Sequence, residues 1–221
     1  MNLLANKRLN LDIIDIISNL SIELQIKTFL VGGYVRDLIL SRQSKDIDVL
    51  VIGDGISFAK EVKKKLDTKV NLQIFKNFGT AMIIYDGFEI EFVGSRKESY
   101  QQSSRNPSVT IGTFEDDISR RDFTINSIAI SLNKNDKGKI IDLFGGLSDV
   151  KSGIIKTPKD PKITFYDDPL RMMRAVRFAS QLNFKIKDSN LEIIKSFSSR
   201  DALRSYKIDL GFSVVIVVII I

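Results

Sequence analysis

Neither cysteine nor histidine occurs anywhere in the sequence. Without thiols there is no disulfide framework and no thiolate zinc site. Without imidazole there is no Ser-His-Asp triad, no Cys-His dyad, no imidazole-bound zinc and none of the usual general base. Chemistry on this chain has to run on carboxylates, Lys and Arg, hydroxyls and metal ions. Long apolar runs are scarce too. The longest, Val214 to Ile221, is far shorter than the ~20 residues a membrane span needs. The first twenty residues, MNLLANKRLNLDIIDIISNL, carry acidic residues at amphipathic spacing instead of an apolar signal core. A cytoplasmic location with no membrane association is the expectation.

What is present bounds the rest. The 221 residues, with 43% hydrophobic content, allow one substantial domain or a domain and a half. The formal charge of +6 is compatible with a nucleic-acid partner without requiring one. Helix and strand signals are intermingled without strict alternation, which favours an α+β fold over a doubly wound sheet. The periodicity predicts helices near 10–20, 34–40, 56–66, 115–131, 168–181 and 189–197, and strands over 28–31, 46–52, 69–75, 80–85, 88–94 and 139–143. Residues 95–115 are polar and read as a mobile loop.

The most informative stretch is FLVGGYVRD followed by KDIDVLVI. Alternate residues of a strand share a face, so Asp46 and Asp48 stand side by side while Ile47, Val49 and Val51 point the other way. Neighbouring carboxylates repel unless a cation lies between them, and Mg²⁺, held by one or two carboxylates plus substrate phosphates, suits the pair. Gly32 and Gly33 permit close backbone approach and open a helix whose N–H groups can face an anion. In FEIEFVG, Glu91 is the candidate for a third acid in a two-metal site, and a solvated strand edge is the competing reading.

In RRDFTINSIAI, Arg120 and Arg121 suit a triphosphate, while Asp122 and Asn126 can accept from ribose hydroxyls. An ion pair at a helix end would use the same residues. In DDPLRMMRAVRF, Pro169 fits a first helical turn capped by Asp167 or Asp168, and Asp168, Arg171, Arg174 and Arg177 form a polar stripe. An Asp acceptor beside an Arg fork can read the Watson–Crick edge of a base. The alternative is a surface i,i+3 pair worth about 0.2–0.5 kcal/mol.

Taken in order, VGGYVRD, DIDVLV, RRDFTINSIAI and DDPLRMMRAVRFASQLNF resemble the bacterial tRNA nucleotidyltransferase/poly(A) polymerase family, the class II CCA-adding enzymes. FVGSRKESY and IDLFGGLSDVKSG also look like that family's head and neck. The resemblance implies a polymerase-β-like head with a small mixed sheet flanked by helices, expected over residues 1–150. A partial, truncated helical neck is expected over 151–221, ending in an atypical apolar tail at 212–221.

The resemblance further implies Mg²⁺ dependence, CTP and ATP as substrates, and a tRNA or other RNA 3′ end as acceptor. Carried over, Asp46 and Asp48 would hold the metals with Glu91 in support, and Gly32, Gly33 and Arg36 would line the triphosphate. Arg121, Asp122 and Asn126 would touch phosphate and ribose, while Asp168 and Arg171, with Arg174 beyond, would act as the template for the base. A poly(A)-adding or A-only enzyme shares every one of these motifs. An inactive nucleotide- or RNA-binding module is the alternative of another class.

Overall fold

The computed structural model describes residues 11–66, 69–99 and 108–197; the apolar stretch at 212–221 lies outside them. Helix α1 (Asp12–Leu24) buries Ile13, Ile14, Ile17 and Leu20, the spacing of one helical face. It leads into β1 (Thr28–Val31), α2 (Gly32–Ile39) and β2 (Asp46–Val51). Helix α3 (Gly55–Lys65) begins at Asp54, whose carboxylate accepts the N–H groups of Ile56 and Ser57 at 2.9 and 3.2 Å. Strands β3 (Leu72–Phe75), β4 (Thr80–Tyr85) and β5 (Phe88–Gly94) follow. Asp86 and Gly87, both at positive φ, make the two-residue turn between β4 and β5.

Next come β6 (Arg96–Ser99), β7 (Ser108–Ile111), α4 (Phe114–Ser119), β8 (Ile128–Ser131) and β9 (Ile140–Asp142). The chain continues through α5 (Gly146–Ser152), β10 (Ile154–Ile155), α6 (Pro161–Asp167), α7 (Leu170–Leu182), β11 (Lys185–Ile186) and α8 (Asp188–Phe197). The fold is α+β. Seven strands form one mixed sheet in the order β3-β4-β5-β2-β1-β8-β9. Within it β2 and β5 run parallel, and every other neighbouring pair is antiparallel.

The sheet has two different faces. On one, Leu30, Ile47, Val49, Ile83, Ile90, Phe92, Ile128 and Ile130 pack with α1, α2 and α3 into a single core that runs on to Phe165, Phe178 and Ile194 of the C-terminal helices. Phe58 and Phe92 are fully buried there with ring centroids 6.1 Å apart. Each such side chain contributes about 1.5–3 kcal/mol of burial. The opposite face carries a smaller cluster of Phe29, Val31, Leu50 and Ala129 under Ile118 of α4. Beyond that cluster the same face bears the acids of β2 and β5.

Three expectations need correction. The loop at 95–115 contains a hairpin in which β6 pairs with β7, then the start of α4. The helix over 115–131 is a six-residue helix, α4, whose N-terminus is closed by a Thr113–Asp116 capping box, then a turn, then β8. Strand β8 lies inside the sheet and is buried on both faces. It therefore lacks the alternation that separates strand from helix. The helix from Asp168 starts at Leu170, because Asp168 is extended (φ −146°) and instead ends α6, which begins at Pro161. Among the described residues no helix is long and apolar enough to cross a membrane.

Candidate active site

A cavity of about 770 Å³ opens over the acidic part of the second sheet face. Parallel pairing sets Asp46 opposite Glu89 and Asp48 opposite Glu91, so four carboxylates occupy two adjacent rungs of one ladder. All four line the cavity. Burial pushes the Asp48 carboxyl up to about 6 from its ordinary 3.8, and the charges of Glu91 and Asp46 push it the same way. Arg121 and the N–H of Gly33 act in the opposite direction without cancelling the rise.

The glycine pair explains how Asp48 reaches this position. Gly32 has φ +73°, and a Cβ there would stand 2.5 Å from Asp48 Oδ2. Both its conformation and the contact exclude a larger side chain. The N-terminus of α2 thus receives an anion, but the anion is the protein's own Asp48. Arg36, one turn on, donates to Asp37 at 3.0 and 2.9 Å and to Asn126 Oδ1 at 2.8 Å. It lines the cavity with three of its N–H groups already engaged.

Beside the acids stands an arginine wall. Asp117 of α4 is fully buried and holds Arg120 at 2.6 Å and Arg121 at 3.1 Å. Sequence reasoning passed over Asp117, although an acid three and four residues before two arginines is a helical charge spacing. Arg121 also leans toward the glycine turn, its Nη1 3.2 Å from where a Gly32 Cβ would be. Its Nε is buried without a hydrogen-bond partner.

Asp122 ties this region to α7. Its Oδ2 accepts from Arg174 Nε at 2.7 Å, and its Oδ1 accepts from Asn126 Nδ2 at 3.0 Å and from the Phe123 N–H at 2.8 Å. A continuous polar chain therefore runs Arg174–Asp122–Asn126–Arg36–Asp37. Phe178, which sequence reasoning did not single out, sits among three guanidinium groups: Arg36 at 5.1 Å, Arg174 at 5.2 Å and Arg177 at 4.8 Å from the ring centre. Such contacts hold arginines in place without neutralising them.

Asp168 and Arg171 also line the cavity. Their closest ionic approach is 3.9 Å; Asp168 Oδ1 accepts the Leu170 N–H at 3.0 Å, and Arg171 is largely buried. A loose pair of this kind leaves hydrogen-bonding capacity on both groups. The cavity thus brings together every residue singled out from the sequence: Asp46, Asp48, Glu91, Gly32, Gly33, Arg36, Arg121, Asp122, Asn126, Asp168, Arg171 and Arg174.

The donor set suits a hard divalent cation, since it is all carboxylate oxygen and its most buried member resists carrying an uncompensated charge. Among the described residues no group of three or more acidic side chains is placed so as to hold a metal ion by itself.

The sequence family described as poly A polymerase head domain matches residues 28–156. The A-adding tRNA nucleotidyltransferase of Aquifex aeolicus is 39% identical over 170 residues, covering 77% of this chain and 20% of that protein. The CCA-adding enzyme of Ligilactobacillus salivarius is 39% identical over 178 residues, covering 80% and 42%. Among solved structures, a CCA-adding enzyme in apo form II has a TM-score of 0.80 at 33% identity, over 90% of this chain and 46% of that one. A tRNA nucleotidyltransferase complexed with a primer tRNA and an incoming ATP analogue has a TM-score of 0.73 at 35% identity, over 86% and 52%. The chain spans about a fifth to two fifths of the length of these curated relatives and about half of these solved chains.

Proposed function

The chain belongs to the poly A polymerase head-domain family, and from that premise we propose that it is a nucleotidyltransferase that extends a tRNA 3′ end with CMP and AMP, without a nucleic-acid template. The observation that carries this reading is the pairing, across one cavity, of an acidic ladder with an arginine wall containing an unpartnered buried donor on Arg121. The acids suit a metal, and the arginines suit a triphosphate. Relatives named for A addition and for CCA addition support the chemistry.

Asp46 and Asp48 would hold Mg²⁺, with Glu91 reinforcing the negative field from the next strand. When bound, the ion neutralises charge developing on the triphosphate and lowers the pKa of the acceptor hydroxyl. Arg121, fixed by Asp117, presents its Nη1 beside Gly32, where phosphate oxygens can accept. Asp122 and Asn126 hold the ribose side of the pocket while keeping Arg36 and Arg174 oriented. Arg171 donates to, and Asp168 accepts from, the edge of the incoming base. Positioning and fixed charge supply the acceleration, so the absence of histidine costs nothing. We divide the chain into a head over 1–150 and a neck over 151–221, the neck supplying the base-reading pair. With this reading goes a cytoplasmic site of action.

A second reading, A-only addition, is favoured by the A-adding relatives at 39% and 38% identity. One assay separates them: tRNA lacking its 3′ end, Mg²⁺ and a single labelled nucleotide. Incorporation from CTP establishes C addition, incorporation from ATP alone establishes A addition, and nucleotide binding without any extension would leave only a binding module.

A further inference from the structure

The sheet face that carries the acids continues past them. Register places Asp48, Glu91, Met82 and Gln73 in one line across β2, β5, β4 and β3. The next line on the same face runs Leu50, Val93, Thr80 and Phe75. Over these outer strands lies a groove of about 490 Å³ that shares Met82, Glu91, Val93 and Arg120 with the active-site cavity. Its far end is formed by Phe75, Phe78 and Arg96.

Two aromatic rings stand open here. Phe78 is 67% exposed and Phe75 39%. Phe78 is not on a loose loop: it ends a 3₁₀ turn, Lys76–Phe78, closed by Gly79 at φ +61°, and Arg96 donates to the Phe78 carbonyl. A braced, solvent-facing ring beside arginines, continuous with a nucleotide cavity, has the chemistry of a stacking platform for single-stranded nucleic acid. Neutral peptide or lipid would not need the cations, and a small metabolite would not need continuity with the acids.

We propose that Phe78, with Phe75 and Arg96, stacks the penultimate base of the acceptor RNA strand while its terminal 3′-hydroxyl lies over Asp48. The geometry selects the penultimate base. Phe75 is three strands from Asp48, about 14 Å at the usual strand spacing, which exceeds the span from a 3′-hydroxyl to its own base. Arg96 and Arg120 then lie along the connecting phosphates. This platform rests on the nucleotidyl-transfer reading.

The test uses the full chain and a short single-stranded RNA with 2-aminopurine as its penultimate base. The probe's fluorescence is expected to be quenched on binding the unaltered protein. Phe78→Ala should abolish the quench and raise the KM for RNA roughly tenfold, with the KM for ATP unmoved. Phe78→Trp should restore both, which a merely structural role for the ring would not predict. If Phe78→Ala keeps the quench and the RNA KM while Asp48→Ala ends transfer, the platform is refuted and the enzymatic reading stands. If the unaltered protein extends no RNA yet Phe78→Ala alone loses the quench, the platform stands and the enzymatic reading fails. A probe that is never quenched refutes the platform.

Discussion

The two walls of the cavity hold opposite charges in opposite ways. On the acidic wall, β2 and β5 set carboxylate against carboxylate in register, and Asp48 is left with a carboxyl pushed up to about 6. On the basic wall, four arginines have internal anchors: Asp117 for Arg120 and Arg121, Asp122 for Arg174, Asp37 and Asn126 for Arg36. The acids are destabilising until a cation arrives, whereas the arginines are pre-oriented before any anion does. On the proposed reading, the acids would take the metal and the arginines the triphosphate.

The sharpest way to break this contrast is Asp48→Asn. It removes a charge whose burial Arg121 and the Gly33 N–H only partly offset, so that on the proposed reading RNA extension should fall about 10³-fold or more. Thermal unfolding in metal-free buffer at pH 7 should shift upward at the same time. A variant that keeps turning over, or that melts earlier, would mean the acidic wall is not poised for a cation.

Asp117→Ala attacks the other wall. It strands two guanidinium groups against a buried site, at a cost of about 3–5 kcal/mol. Urea unfolding measures that loss, and ATP titration should show weakened binding because Arg121 is no longer aimed. Near-normal stability would show that Arg120 and Arg121 do not depend on their buried partner.

The pH response compares the walls without mutation. For Asp48 the ordinary value is 3.8 and the folded value about 6. Between those values the folded protein keeps a proton that the unfolded chain has released. Stability from this group is therefore present below pH 3.8 and lost as pH rises through 6, by on the order of 3 kcal/mol in metal-free buffer. Asp48→Asn should flatten that part of the profile, and an unchanged profile in the variant would assign the dependence to another group.

The smallest effect is expected at Arg171→Ala. Preference for CTP and ATP over the other nucleotides should drop about tenfold, near 1.4 kcal/mol, while metal binding is spared. Undiminished selectivity in competition assays would remove Arg171 from base reading.

Legibility differed sharply along the chain. Strands β2 and β5 were plain in DIDVLV and FEIEFVG, since a half-buried strand alternates and the acids fall on one phase. IAIS was misjudged because a strand covered on both faces has no phase to read. The β6–β7 pair was missed for the opposite reason: it forms its own two-stranded sheet, so apolar alternation had no core to mark. The carboxylates and arginines named from the motifs were picked out from spacing before the structure placed them along one cavity. Asp117 and Phe178 were not, because what distinguishes them is burial and the company of side chains distant in sequence.

Composition and local spacing by themselves determined which chemistry was available to this protein: acids in phase on a strand, a glycine turn, and arginines recurring along a helix. Those depend on residue type and on periods of two or three to four residues, which the chain spells out directly. Only the tertiary structure decided that Glu91 stands level with Asp48, that Asp122 clasps Arg174 from 52 residues away, and that the N-terminus of α2 holds a carboxylate of its own chain. Such pairings follow from strand register and helix docking, which are set by burial of the whole apolar core and leave no local mark on the polar residues they bring together.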